Sequence, residues 1–462
     1  MRDLTTGSEA RQIVVFTLPM LIGNVFQQLY NTVDSLVVGN LVGKTALAAV
    51  GASFPILFLM VSLITGVTMG TTVIVAQNYG SRDFRKVRAA VDTAYIFLFW
   101  AGLALTAVGL LSARWLVGIL DVPPDAVGQA VTYLQILFAG MTASIGYNTV
   151  SAVLRGLGDS RTPLYLLVFS TLLNTVLDLL FVGVFHWGVA GAAWATVISQ
   201  AVSFGGAIAV LNRRNEFVRL SLKELRFDRE SFRHSMRIGL PTGLQQTLVA
   251  SGMMVLTRIV SGFGTDVLAG YTVASRLDSF AMMPAMNISQ ALSAFTGQNI
   301  GAGKTDRVRR GFRAGLLLGL GISLVTSIVV ISAGRELISL FNPDPLVIEA
   351  GAQYLLIVGA FYVVFSTMFV VNGVLRGAGE ALVPLLNTIL ALWIVRIPCA
   401  MLLSSSAGAA GIWWAMPAGW TAGCAAALIY YASGRWKDRG PARRPCPPEE
   451  EEAREWAEKE EK

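Results

Sequence analysis

Two histidines, His186 and His234, are all that 462 residues contain. A histidine-based metal centre is therefore excluded as a working idea, because such centres gather several imidazoles. Three cysteines, Cys399, Cys424 and Cys446, form no Cys-x-x-Cys pair, which argues against a zinc site and a disulfide framework. No His-Glu-x-x-His or Gly-x-Ser-x-Gly string occurs, so an intramembrane enzyme would lack its usual nucleophile, base or metal ligands. Charge is scarce as well: Asp, Glu, Lys and Arg make up 14% of the chain, against about a quarter in soluble domains.

Apolar residues fill that space. They form 54% of the chain, the mean hydropathy is +0.60, and runs of about 20 apolar residues recur along nearly its whole length. The pattern predicts a polytopic, all-α membrane protein with spans near 13–39, 46–76, 87–111, 127–154, 163–184 and 190–211. A second set follows near 237–262, 266–297, 309–333, 347–375, 384–404 and 408–433. The opening "MRDLTTGSEARQIVVFTLP" has the basic start of a signal peptide. It runs on through Asn24, Gln27, Gln28 and Asn31 with no convincing cleavage site, and reads as a retained first span.

The two sets repeat. "QNYGSRDFRKVR" (77–88) pairs with "QNIGAGKTDRVR" (298–309), and "VLRGLGDSRTPL" (153–164) with "VLRGAGEALVPL" (374–385), both at an offset of 221 residues. Pro124 and Pro345, and Tyr133 and Tyr354, keep that offset. Six spans per copy bring both copies into the membrane from the same side, which predicts two parallel lobes with a central cavity between them. The expected organisation is a first lobe over 1–211, a basic linker over 212–236, a second lobe over 237–434 and a hydrophilic tail over 435–462. Basic residues gather on one face: Arg82, Arg85, Lys86 and Arg88 after the second span, Arg155 and Arg161 after the fourth, the linker, and Lys304, Arg307, Arg309, Arg310 and Arg313 after the eighth. That face is expected to be cytoplasmic, with both termini on it, in the cell's plasma (inner) membrane. The +7 net charge thus reports membrane orientation and not nucleic-acid binding. "GAGKT" (301–305) imitates a phosphate-binding loop, but the pattern needs glycine where Gln298 stands, and it follows a membrane span instead of a strand.

The polar residues inside the spans carry the chemistry. Asp34 lies in the first, Asn174 and Asp178 one helical turn apart in the fifth, and Thr196 in the sixth. Asp34 is five residues before Gly39, Asp178 five before Gly183, and Thr196 five after Gly191. At 1.5 Å per residue, all three fall roughly 8 Å from the same membrane face. Interhelical hydrogen bonding would account for Asn174 or Thr196, but two carboxylates at one depth call for a function. The second lobe differs: Cys399 stands where Asp178 would repeat, and its acid is Asp278, two residues from Arg276, with Arg396 alone in the eleventh span. A structural salt bridge of Asp278 and a coupling role both stay open. Gln28, Asn31, Gln245, Met282 and Met286 are candidates for a substrate-facing wall, methionine for its adaptability. Pro19 should kink the first span, with Pro241 its near-counterpart in the seventh.

The string "LPMLIGNVFQQLYNTVDSLVVGNLVG", the "QNYG" and "VLRGLGD" loops and the twelve-span parallel repeat together resemble the multidrug and toxic compound extrusion (MATE) family, over about residues 8–435. The arrangement of Pro19, Tyr30, Asp34, Asn174, Asp178 and Thr196 is similar to the first-lobe cation site of its prokaryotic DinF-like branch. The resemblance implies antiport: cationic or polyaromatic drugs leave while protons or sodium ions enter. Asp34, Asp178, Asn174, Thr196 and Tyr30 would couple to the ion, and sodium would sit among Asp34, Asn174, Asp178 and Thr196. Pro19 would provide the bend. The branch that uses second-lobe acids has one in the seventh span, where this chain has Gln245 and Gln246. No cofactor is implied, and the expected partners are small-molecule drugs and the lipid bilayer, with the chain acting as a monomer. A lipid-linked oligosaccharide flippase would share the architecture but should line its cavity with more arginine and lysine; a passive channel would not explain an acid cluster confined to one lobe.

Overall fold

A computed structural model describes residues 2–119, 122–214, 218–221 and 223–439. Among these, twelve helical rods follow one another: α1 (Glu9–Leu41), α2 (Lys44–Gly80), α3 (Phe84–Ile119), α4 (Pro124–Ala139 with Met141–Gly156), α5 (Arg161–Val184) and α6 (Gly188–Arg214). The second six are α7 (Arg229–Ser261), α8 (Thr265–Gly301), α9 (Thr305–Ser332), α10 (Pro345–Gly359 with Tyr362–Gly377), α11 (Leu382–Ala407) and α12 (Ala409–Ala432). The rods outrun the expected spans because polar residues at their ends, such as Glu9 and Arg229, still favour helix while lowering hydropathy. Of the linker expected at 212–236, residues 212–214 and 229–236 are therefore helical. Residues 435–439 of the expected tail form a single 3₁₀ turn, and 440–462, with Cys446, lie outside the described residues.

The repeat is visible in the breaks. α4 bends by 48° and α10 by 51°, and each starts on a proline, Pro124 or Pro345, at a first helical position where the missing N–H leaves no bond unmade. α5 and α11 each contain a π-helical stretch, Leu179–Val184 and Ile389–Arg396. One begins on the residue after Asp178 and the other ends on Arg396. A π-turn widens the backbone ring and re-aims the side chains beside it, which is why such turns gather at functional positions.

Large apolar side chains cover the outside, Leu111, Leu317 and Ile429 among them, as lipid-facing helices require. In lipid the helices associate through close packing of small residues and not through the hydrophobic effect. The lobe interface obeys this: α2 lies against α7 and α8. A Cβ at Gly66 would overlap the backbone of Gly243, one at Gly70 the carbonyl of Ser235, and one at Gly80 the carbonyl of Gln298. We call the face bearing the start of α1 and the end of α12 the inner face. The inter-lobe hydrogen bonds among the described residues all lie in the half of the molecule nearer to it.

α1 belongs to both lobes. Ile13 and Phe16, in its inner half, join a buried cluster of the second lobe with Phe295, Ile300 and Phe312. Its outer half packs in the first lobe, with Val38 against Tyr133, Val182 and Ala192. The crossing point holds Pro19, Gly23 and Asn24. Asn24 donates to Asn287 of α8 at 2.9 Å, while Gly23 lies beside Leu164 and Leu167 of α5.

Candidate cation site in the first lobe

Four rods of the first lobe bring the polar residues together. α1 presents Tyr30 and Asp34 one turn apart, α5 presents Asn174 and Asp178 likewise, α6 adds Thr196 and α4 adds Tyr133. Asp34 stands seven residues before Leu41, Asp178 six before Val184, and Thr196 eight after Gly188. The three therefore share a depth of roughly 9–12 Å below the outer helix ends, close to the sequence expectation.

Burial is nearly complete. Asp34 is 8% exposed, Asn174 1% and Asp178 fully buried. The Tyr30 hydroxyl and Thr196 Oγ1 share a hydrogen bond of 2.9 Å. The Asn174 amide is best satisfied with its nitrogen donating to Asp178 Oδ2 at 2.9 Å and its oxygen accepting from the Thr196 N–H at 3.1 Å. Asp34 and Asp178 lie within electrostatic reach of one another, as do Tyr30 and Tyr133 of both. One oxygen of each carboxylate, Oδ1 of Asp34 and Oδ1 of Asp178, is buried without a hydrogen-bond partner. An unmet buried acceptor on an acid costs about 1–3 kcal/mol or more, and two facing carboxylates in low dielectric cannot both ionise cheaply.

The second lobe is organised otherwise. Asp278, 4% exposed, accepts from the Tyr354 hydroxyl at 3.0 Å. The salt bridge considered for it is not formed among the described residues: Arg276 is exposed, and no cation lies within ion-pair distance. Arg396, 6% exposed, lies within electrostatic reach of Asp278. Tyr271 stacks on Trp413 with centroids 5.6 Å apart, and Tyr354 meets Trp413 edge-on at 5.1 Å.

Of the residues expected to face substrate, Gln28 accepts from Asn31 at 3.4 Å on α1. Met286 is 38% exposed, and Met282 packs at the edge of the second-lobe core. Gln245 is 7% exposed and turned toward α11, donating to Thr388 at 2.8 Å, so its amide faces its own lobe. Pro19 is buried at the α1 crossing point. Two contributors carry no assignment from the sequence. Tyr133 had a signal, its shared register with Tyr354. The Asn24–Asn287 bond had none, because it joins two helices with no spacing relation.

The MatE family profile matches twice, over residues 19–180 and 241–402. The "Probable multidrug resistance protein YpnP" of Bacillus subtilis (strain 168) is 35% identical over 436 residues, which is 94% of this chain and 97% of that one. Two solved structures superpose along 94% of the chain at 25% identity. "Crystal structure of MATE in the bent conformation" has a TM-score of 0.87 and is covered over 96% of its length; "Crystal structure of MATE in the straight conformation" has 0.86 and 97%.

Proposed function

The chain belongs to the MatE family of multidrug transporters, and from that premise we propose that it exports cationic or polyaromatic drugs in exchange for a cation bound between Asp34 and Asp178. It is a transporter and not an enzyme. The observation that carries the proposal is the pair of buried carboxylate oxygens, one on each acid, that no protein group satisfies. A proton taken up by either acid removes the repulsion between two carboxylates and turns one unmet acceptor into a donor. Sodium is the second reading: Thr196 Oγ1 and the Tyr30 hydroxyl could add oxygens, but the Asn174 oxygen is already engaged by the Thr196 N–H.

The basic inner-face loops support a cytoplasmic inner face in the plasma membrane, with the chain working as a monomer. An ion entering from outside neutralises Asp34 on the outer half of α1. The inner half of α1 stays packed on the second lobe, so the change is taken up at Pro19, Gly23 and Asn24. The outer half then shifts within the first lobe and contracts the drug's space, after which the lobes rock. Each charge entering gains about 2.3 kcal/mol per 100 mV. At about 1.36 kcal/mol per tenfold, that sustains an export gradient of roughly fiftyfold.

The test is dye efflux from vesicles under an imposed pH or sodium gradient. Asp34→Asn should stay in the membrane and lose gradient-driven efflux. Undiminished, pH-responsive efflux in that variant rejects the mechanism, and a response to sodium alone replaces the proton reading by the sodium one.

A further inference from the structure

The repeat motif "QNYG"/"QNIG" closes on itself at the inner face. Gln77 Nε2 of α2 donates to the Gly377 carbonyl of α10 at 2.9 Å. Its repeat counterpart Gln298 of α8 donates to the Gly156 carbonyl of α4, also at 2.9 Å. Each bond crosses from one lobe to the other. Beside them a Cβ on Gly80 would overlap the Gln298 carbonyl, and one on Gly301 the Gln77 carbonyl. Both glutamines are at least nine-tenths buried, Gln77 at 7% and Gln298 at 0% exposure.

A second layer lies on this clasp. Residues 2–7 precede α1, and although Gln12 of α1 donates to the Asp3 and Thr6 carbonyls, most of their hydrogen bonds beyond the segment run to the second lobe. The Leu4 N–H donates to Gln298 Oε1 at 2.9 Å, and the Leu4 carbonyl accepts from Asn299 Nδ2 at 3.1 Å. Lys304 Nζ donates to the Thr5 carbonyl at 3.1 Å, and Arg307 to the carbonyls of Thr6 at 3.1 Å and Gly7 at 2.9 Å. Leu4 is 1% exposed, in the cluster of Phe295 and Ile300. At the segment's other end, the Arg2 carbonyl lies where a side chain on Gly158 of the first lobe would point. The segment therefore bridges the lobes.

We propose that residues 2–7 form a latch across the cytoplasmic mouth, and that Gln298 is the positioning residue that couples the latch to the lobe-to-lobe clasp. One side of its amide holds the latch and the other holds the first lobe, so parting the lobes breaks the Gln298–Gly156 bond that fixes this amide and the Arg2–Gly158 contact that anchors the latch to the first lobe. The proposal relies on the reading above only for calling this face cytoplasmic. The inference concerns release of the latch, not the ion that drives it.

The test is hydrogen–deuterium exchange of the peptide covering residues 2–8 in the full-length protein in lipid nanodiscs. Wild type should exchange at least about tenfold more slowly than an unstructured peptide. Gln77→Ala touches the clasp and not the latch, and should raise latch exchange severalfold. Gln298→Glu keeps the acceptor for Leu4 but loses the donor to Gly156, and should do the same. Conversely, Ala76→Cys with Gly297→Cys, in a chain whose three cysteines are replaced by alanine, should form a disulfide across the lobes. A Cβ on Gly297 would lie 2.9 Å from that of Ala76, within about 1 Å of disulfide spacing. Oxidation should preserve latch protection and stop ethidium efflux, and reduction should restore efflux. An unprotected latch in wild type, latch exchange unchanged in Gln77→Ala, or full efflux with the disulfide intact each overturns the proposal. These readouts do not depend on Asp34, so failure here leaves the ion mechanism to its own test.

Discussion

In the first lobe, Tyr133 sits among two carboxylates, Asp34 and Asp178, each with a free buried oxygen. In the second lobe its repeat partner Tyr354 donates to a single carboxylate, Asp278, with Arg396 nearby to balance the charge. One ancestral arrangement of helices thus supports two solutions to the same difficulty, acid groups held away from water. The first lobe holds two buried acids with no basic side chain in ion-pair distance among the described residues, which is what the proposed cation uptake rests on. The second lobe instead sets a buried arginine near a single acid, although Asp278 Oδ1 and Arg396 Nε are themselves buried without a hydrogen-bond partner.

The sharpest way to break this comparison is to neutralise one acid at a time. Asp34→Asn and Asp178→Asn should each lower gradient-driven efflux by about a hundredfold or more, equivalent to ~2.7 kcal/mol of lost coupling. Asp278→Asn should stay within a fewfold of wild type, and an Asp278 variant as inactive as Asp34→Asn would place coupling in both lobes.

Stability provides the next contrast. Arg396→Met removes the buried arginine near Asp278, and thermal melting of the solubilised protein should show a loss on the order of 1–3 kcal/mol. Adding Asp278→Asn should recover much of it; if it does not, the two residues do not balance each other.

Smaller still is the tyrosine comparison. Tyr354→Phe removes a donor from a buried carboxylate and should destabilise by about 1–2 kcal/mol. Tyr133→Phe, which loses no direct bond to an acid, should cost less, and equal losses would mean that both phenols serve as packing.

The least effect is expected at the lobe entrances. Asp228 caps α7, accepting from the Ser231 N–H at 2.7 Å, whereas Ser8 makes no side-chain cap for α1. Asp228→Ala should cost about 1 kcal/mol, and Ser8→Ala almost nothing. The hydrogen bonds from Ser231 hold the Asp228 carboxyl below its ordinary range. Its stabilisation is therefore present above the pKa of the unfolded chain and fades as pH falls through the lower native value. A melting profile in which the Asp228→Ala deficit persists at strongly acidic pH would contradict that cap.

Much of this was legible in the sequence because it is local or periodic. Ten of the twelve rods, each bent pair counted once, are long and apolar enough to cross a membrane, and the 221-residue offset gave the two lobes and the matched Pro124 and Pro345 at the starts of the bent helices. Counting from helix ends put Asp34, Asp178 and Thr196 at one depth. Counting could not show azimuth. Gln245 was a fair candidate for the cavity by composition, but the rotation of α7 turns it toward Thr388. The π-turns beside Asp178 and Arg396 leave no pattern in the residues that form them. The latch was equally hidden, since residues 2–7 are too short and too polar to announce a partner 294 positions away.

By itself, then, the sequence determined that the chain crosses a bilayer, that it does so in two copies, and that one copy holds surplus acid. Those properties follow from hydropathy, repetition and charge count, which are sums over neighbouring residues. Only the tertiary structure decided that Asp34 and Asp178 are buried near one another, each with an oxygen that meets no donor, and that α1 is divided between lobes with residues 2–7 bridging them at its foot. Such facts depend on how each helix is turned about its axis and how closely glycine lets it approach the next, and packing among distant segments sets both.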